Sequence, residues 1–156
     1  MTLYFMAWMV VLAFRIQGFA LPPTLTSLDC ITESELRRLT AEQKVDNRIK
    51  RYREISERLH KAVETAAQKQ KFEEAPGVLK CWVEVLAASQ KDVEENINRK
   101  KKSGALIDYE IAIRKSILDM EDVQIKAPYN QQDDFNAWIA QATTTRKKFV
   151  DILFQR

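Results

Sequence analysis

From Val45 onward the apolar positions recur at steps of three and four: Val45, Ile49, Tyr52, Ile55, Leu59, Val63 and Ala66. That spacing lays one apolar stripe along a helix and leaves the opposite face charged, with Glu54–Arg58 and Glu57–Lys61 expected as i to i+4 pairs. A second stripe runs Leu79, Trp82, Val83, Leu86, Val93 and Ile97. A third segment, 105–125, carries two apolar faces: Leu106, Tyr109, Ile113, Ile117 and Met120 on one, Ile107, Ile111, Leu118 and Ile125 on the other. Two apolar faces predict the most buried helix of the set. The last stripe is Phe135, Trp138, Ile139, Ala142, Phe149, Ile152 and Leu153. No segment alternates with period two, and no internal repeat is present. The pattern predicts an all-α protein, an antiparallel helical bundle of about four helices joined by short connections.

Helix boundaries are set by capping residues and breakers. Thr32-Glu33-Ser34-Glu35 and Thr40-Ala41-Glu42-Gln43 both have the form of a capping box, and the first long helix is expected to start near Thr40 after a short turn or helix at Ser34 to Leu39. Ala75-Pro76-Gly77 opens the second helix, with Pro76 in its first turn. Ser103-Gly104 reads as a helix end followed by an N-cap; because one internal glycine costs only about 1 kcal/mol, the alternative is that helices two and three fuse into one long helix. Ala127-Pro128-Tyr129-Asn130 is the last break, since Pro128 drives Ala127 out of helical geometry and Asn130 can cap the final helix.

The first twenty residues differ from the rest. Leu3 to Phe14 is an apolar run of export-signal length, shorter than the ~20 residues of a membrane-spanning helix. Gly18 and Ala20 form a small-residue cleavage site, so mature protein is expected to begin at Leu21-Pro22-Pro23. Met1 to Tyr4 carries no Lys or Arg, and Arg15 follows the apolar run; an uncleaved N-terminal membrane anchor is the alternative. This gives a signal peptide at 1–20, an extended leader with a short helical turn at 21–39, and a helical-bundle domain at 40–156, exported to the periplasm or secreted. In an oxidising compartment Cys30 and Cys81, the two cysteines of the chain, can form a disulfide; a buried Cys81 and a free Cys30 are the alternative.

Charge narrows the partners. With 25 basic and 22 acidic residues the chain is nearly balanced, which argues against a dedicated nucleic-acid binder with one strongly basic face. Two local runs stand out, Arg99-Lys100-Lys101-Lys102 and Arg146-Lys147-Lys148. The first is expected at a helix C-terminus, where it complements the macrodipole; its functional reading is a patch for an anionic surface or an acidic protein partner.

Catalytic vocabulary is sparse. With three glycines and one histidine, the motifs built from glycine-rich loops or paired histidines are absent, and no cofactor is implied. Glu57-Arg58-Leu59-His60 has the Glu-x-x-His form of helical di-iron sites, and Glu57, His60 and Glu64 are the metal candidates if there is a metal at all. Ser56, His60 and Glu64 fall on one side of a helix as a nucleophile, base and orienter would. Without an oxyanion hole nearby, a polar stripe explains them better, and His60 is expected to be solvated and dispensable. Asp133-Asp134 and Glu73-Glu74 read as helix-end acids.

Leu39-Thr40-Ala41-Glu42-Gln43 has the form Leu-Thr-x-x-Gln, and here the chain resembles the exported LTxxQ-motif family of all-helical periplasmic stress chaperones. Signal, Leu-Thr start, Arg48 to Tyr52 and three further helices also resemble uncharacterised exported bacterial helical proteins. The expectation is a non-enzymatic exported bundle acting by binding or structure. The alternatives are a chaperone of LTxxQ type, which requires an exposed apolar face, and a hydrolase or metal enzyme centred on His60.

Overall fold

A computed structural model describes residues 30–155; the expected signal, its cleavage site and the start of the leader lie outside the described residues. Five α-helices occur among the described residues: α1 (Glu33–Ala41), α2 (Val45–Gln68), α3 (Ala75–Asn96), α4 (Gly104–Lys126) and α5 (Gln132–Phe154). Short 3-10 turns, Phe72–Glu74 and Tyr129–Gln131, precede α3 and α5, and no strand occurs among the described residues. The fold is an all-α bundle. None of these helices is long and apolar enough to cross a membrane.

Consecutive long helices run antiparallel, as Arg48 facing Asp92 and Glu110 facing Arg146 record for the hairpins α2/α3 and α4/α5. The hairpins then pack side by side in the same sense. Asp46 meets Ser103 and His60 meets Ser116, so α2 and α4 are parallel neighbours, and Gln90 to Thr145 records the same for α3 and α5. The connection 97–103 therefore crosses the bundle end between diagonal helices.

Thr32 closes the capping box of α1: its hydroxyl accepts from the Glu35 N–H and the Glu35 carboxylate accepts from the Thr32 N–H. Thr40 caps nothing. It lies inside α1, with its hydroxyl donating to the Leu36 and Arg37 carbonyls, and the boundary expected between 39 and 40 cuts through this helix. The first long helix starts instead at Val45, after Lys44, without a side-chain cap. It ends in a Schellman motif: Lys71 N–H bonds to Ala66 O and Gln70 N–H to Ala67 O, with Gln70 at φ 58°, a left-handed conformation that glycine adopts more easily.

Ser103 does cap α4, accepting from Leu106 N–H at 3.1 Å, and 97–103 is a loop. Helices α3 and α4, the second and third long helices, are thus separate, which overturns the fused alternative. Asn130 is not a cap, because the 3-10 turn intervenes and α5 begins at Gln132. The expected pairs on α2 are replaced as well. Glu54 turns to Arg51 and Glu57 to Arg53, while Arg58 leaves its own helix to bind Glu35 and the Cys30 carbonyl.

The stripes of α2, α3 and α5 form the core, in which Trp82, Trp138, Tyr52, Phe135 and Phe149 are fully enclosed and Trp82 packs on Trp138 with ring centroids 4.2 Å apart. One expectation for α4 fails. Its first apolar face is inward, but Ile111, Leu118 and Ile125 on the second are 45%, 61% and 78% exposed, so it is not the most buried helix. Its apolar residues are divided between the core and water. Ile113→Ala is expected to cost at least about 2 kcal/mol and Ile111→Ser no more than about 0.5 kcal/mol, read as urea midpoints; equal shifts would contradict the assigned faces.

Candidate functional site

Four places gather polar chemistry. The first lies inside the bundle. Tyr109 on α4 shares hydrogen bonds with Ser56 of α2 at 3.0 Å and Ser89 of α3 at 3.2 Å. Burial pushes the Tyr109 hydroxyl up to about 12, so it stays protonated and serves as a structural bridge. Ser56 is committed to this network while the His60 ring faces Ser116, Glu64 and Asp119, so the hydroxyl beside the imidazole is that of Ser116 and not that of Ser56.

The second is an ion pair between α2 and α3. Arg48 is bidentate to Asp92, Nε to Oδ2 at 2.7 Å and Nη2 to Oδ1 at 2.8 Å. Its Nη1 donates to the Glu42 and Gln43 carbonyls, and Asn96 donates to Asp92 Oδ1 at 2.8 Å. The side chains are only 4% and 2% exposed. Joining both helices to the 42–43 backbone, the pair acts as a structural clamp at the turn into α2.

The third surrounds His60, which is not solvated as expected: its side chain is 14% exposed and its ring stacks on Trp82, centroids 5.6 Å apart. Nδ1 lies 3.3 Å from the Ser116 hydroxyl of α4. Nε2 lies 3.6 Å from Glu64 and 3.4 Å from Asp119 of α4. Of the three metal candidates, His60 and Glu64 are together and Glu57 is turned to Arg53; the third member of the cluster is Asp119. Ser116 beside His60 is not an equipped nucleophile, because it sits mid-helix where backbone N–H groups serve α4 and offer no oxyanion hole.

The fourth is the basic run at the bundle end. Arg99, Lys100, Lys101 and Lys102 follow α3, which ends at Asn96, so they are loop residues and not the helix C-terminus expected. The loop is held by Lys101 N–H to Asn98 O and by Lys100 N–H to the Asn98 side chain, while Arg99 donates to Gln155. With the end of α5 it encloses a concavity of about 620 Å³. Ile97, Leu106, Ile152 and Leu153 supply its apolar lining, and the four cations with Asn98, Ser103 and Gln155 its polar one. Among the described residues no carboxylate forms an ion pair with these cations, whereas in the second run Arg146 pairs with Glu110 and Lys148 with Glu94. The other carboxylate pairs of the sequence, Glu73-Glu74 and Asp133-Asp134, lie at the starts of helical turns.

Cys30 and Cys81 are joined in a disulfide across 51 residues, Cα atoms 6.5 Å apart. Arg58 donates to the Cys30 carbonyl and grips Glu35 at 2.6 and 2.9 Å. Burial opposes ionisation of Glu35, but hydrogen bonds from Arg58 and Thr32 outweigh it and hold the carboxyl below its ordinary range. Comparison with known proteins finds no family model, no curated protein and no solved structure that matches the chain.

Proposed function

We propose that this protein is an exported, non-enzymatic helical bundle that works by binding, and that it docks on an anionic lipid surface through its basic end. One observation carries the reading: four consecutive cations without carboxylate partners among the described residues rim a concavity with an apolar lining, next to exposed Phe154. Each Lys or Arg brought near an anionic leaflet contributes about 1 kcal/mol, so four suffice for reversible adsorption, and an apolar lining accepts acyl or glycerol carbons behind the headgroup. The export signal read in the sequence supplies the compartment. Against catalysis stand the engagement of Ser56 by Tyr109 and the position of Ser116 inside an uninterrupted helix, whose backbone N–H groups serve the helix itself.

A specific observation favours a second reading. The exposed row Ile111, Leu118 and Ile125 is the kind of face that a chaperone of LTxxQ type requires. Its members are seven residues apart, and Arg114, Lys115, Glu121 and Asp122 interrupt it, so it is a weaker feature than the basic end.

Co-sedimentation with vesicles decides the first reading. The protein is expected to pellet with vesicles of phosphatidylcholine containing phosphatidylglycerol, and not with phosphatidylcholine alone. Lys100→Glu with Lys101→Glu and Lys102→Glu should weaken this at least tenfold, and raised salt should do the same. Equal binding to both vesicles, or by the triple variant, would contradict it.

A further inference from the structure

We propose a second site, independent of the basic end: His60, Glu64 and Asp119 bind one divalent transition-metal ion of the zinc class. Three helices build it. His60 and Glu64 stand one turn apart on α2, Asp119 comes from the parallel helix α4, and Trp82 of α3 fixes the imidazole plane by stacking. The parallel packing of α2 and α4 is what keeps this register, since Ser116 and Asp119, one turn apart, meet the two ends of the same imidazole ring.

The orientation of that ring suits a cation. Nδ1 faces the Ser116 hydroxyl, and in the tautomer that donates its proton there the Nε2 lone pair is turned toward two carboxylates. Nε2 is itself buried and has no hydrogen-bond partner among the described residues. In that tautomer a lone pair faces two anions, an arrangement that a cation between them relieves. An N–H donated to a neighbouring oxygen is also how ligating histidines are ordinarily oriented.

The two distances from Nε2 agree with this. Metal–N and metal–O bonds of about 2.0–2.2 Å in a tetrahedron place ligand atoms about 3.3–3.6 Å apart. Nε2 stands 3.4 Å from the Asp119 oxygen and 3.6 Å from the Glu64 oxygen, and the three ligand atoms lie within 4.8 Å of one another. One imidazole and two carboxylates suit zinc or cobalt(II) better than calcium or magnesium, which favour all-oxygen shells. Glu64 and Asp119 also form part of the wall of a concavity of about 330 Å³, through which an ion can enter and a water can complete the fourth position.

Calorimetric titration of the untagged protein with zinc, and the visible spectrum with cobalt(II), test the site. One ion per chain is expected, with the absorption bands of tetrahedral cobalt(II). Asp119→Asn and Glu64→Gln, which keep side-chain shape, should each weaken zinc at least tenfold, with helical circular dichroism unchanged. Glu57→Gln, outside the triad, should bind as the parent does. Absence of zinc binding, or affinity unchanged in Asp119→Asn, would overturn the proposal.

Discussion

Asp92→Ala is expected to lower stability by about 3–5 kcal/mol, although a sequence reading would place a charged residue on the surface. The reason is the guanidinium left behind. Arg48 Nε and Nη2 both end on Asp92, and neither side chain has solvent to fall back on, being 4% and 2% exposed. Removing one member of a buried pair strands the other charge in a low-dielectric interior, a loss well above the worth of the pair itself. Hydrogen bonding to Asp92 holds the Arg48 guanidinium above its already high ordinary range, so it cannot escape by giving up its proton. Replacing both, with Arg48→Met and Asp92→Leu, should recover most of the loss because the charge then disappears with its partner. Urea denaturation of the three variants checks this; an Asp92→Ala midpoint equal to the parent's would contradict the clamp.

Breaking the disulfide comes next in size. It closes a separation of 51 residues, for which the loss of unfolded-chain entropy corresponds to about 4 kcal/mol in the loop-closure model. Cys30→Ser with Cys81→Ala should therefore lower the unfolding free energy by about 4 kcal/mol, and reductant should shift the parent by a similar amount while leaving the variant unmoved. Alanine is chosen at Cys81, 2% exposed, to avoid burying a hydroxyl. The capping box of α1 and the Glu35–Arg58 pair tie the same segment to α2, so α1 should loosen first. A parent midpoint insensitive to reductant would contradict the expectation.

The helical stripes were legible because a helix with one apolar face has one way to hide it. On α2 every residue of the stripe is buried except Val45, which packs against the core from its edge. Helix α4 has two apolar faces, and periodicity cannot say which one the neighbours cover; tertiary packing chose Leu106, Tyr109, Ile113 and Met120. Thr32 and Thr40 offered the same capping motif, and Thr40 lost because the helix begun at Thr32 runs on through it to Ala41. The Ser103 cap and the Pro76 start were local enough to read directly.

The polar sites were harder, since each joins residues far apart in sequence. His60 and Glu64 are visible as a pair at i and i+4, but Asp119 becomes their partner only when α4 lies parallel to α2. A weak signal for the clamp was present. Arg48 falls between Val45, Ile49 and Tyr52 on the apolar face, and Asp92 beside Ser89 and Val93 on the next helix, so opposite charges interrupt the inward faces of consecutive helices. The basic run was legible as a run, but its place in a loop depends on where α3 stops, which neither glycine nor proline marks at Asn96.

Whether the basic end is the surface by which the bundle binds can be read from amide chemical shifts followed while phosphatidylglycerol bicelles are added. Perturbations are expected to concentrate at 97–103 and 152–155, to be reversed by salt and to be absent in the Lys100, Lys101 and Lys102 charge-reversal variant. Perturbations centred on Ile111, Leu118 and Ile125 instead, or none at any lipid ratio, would contradict docking through the basic end.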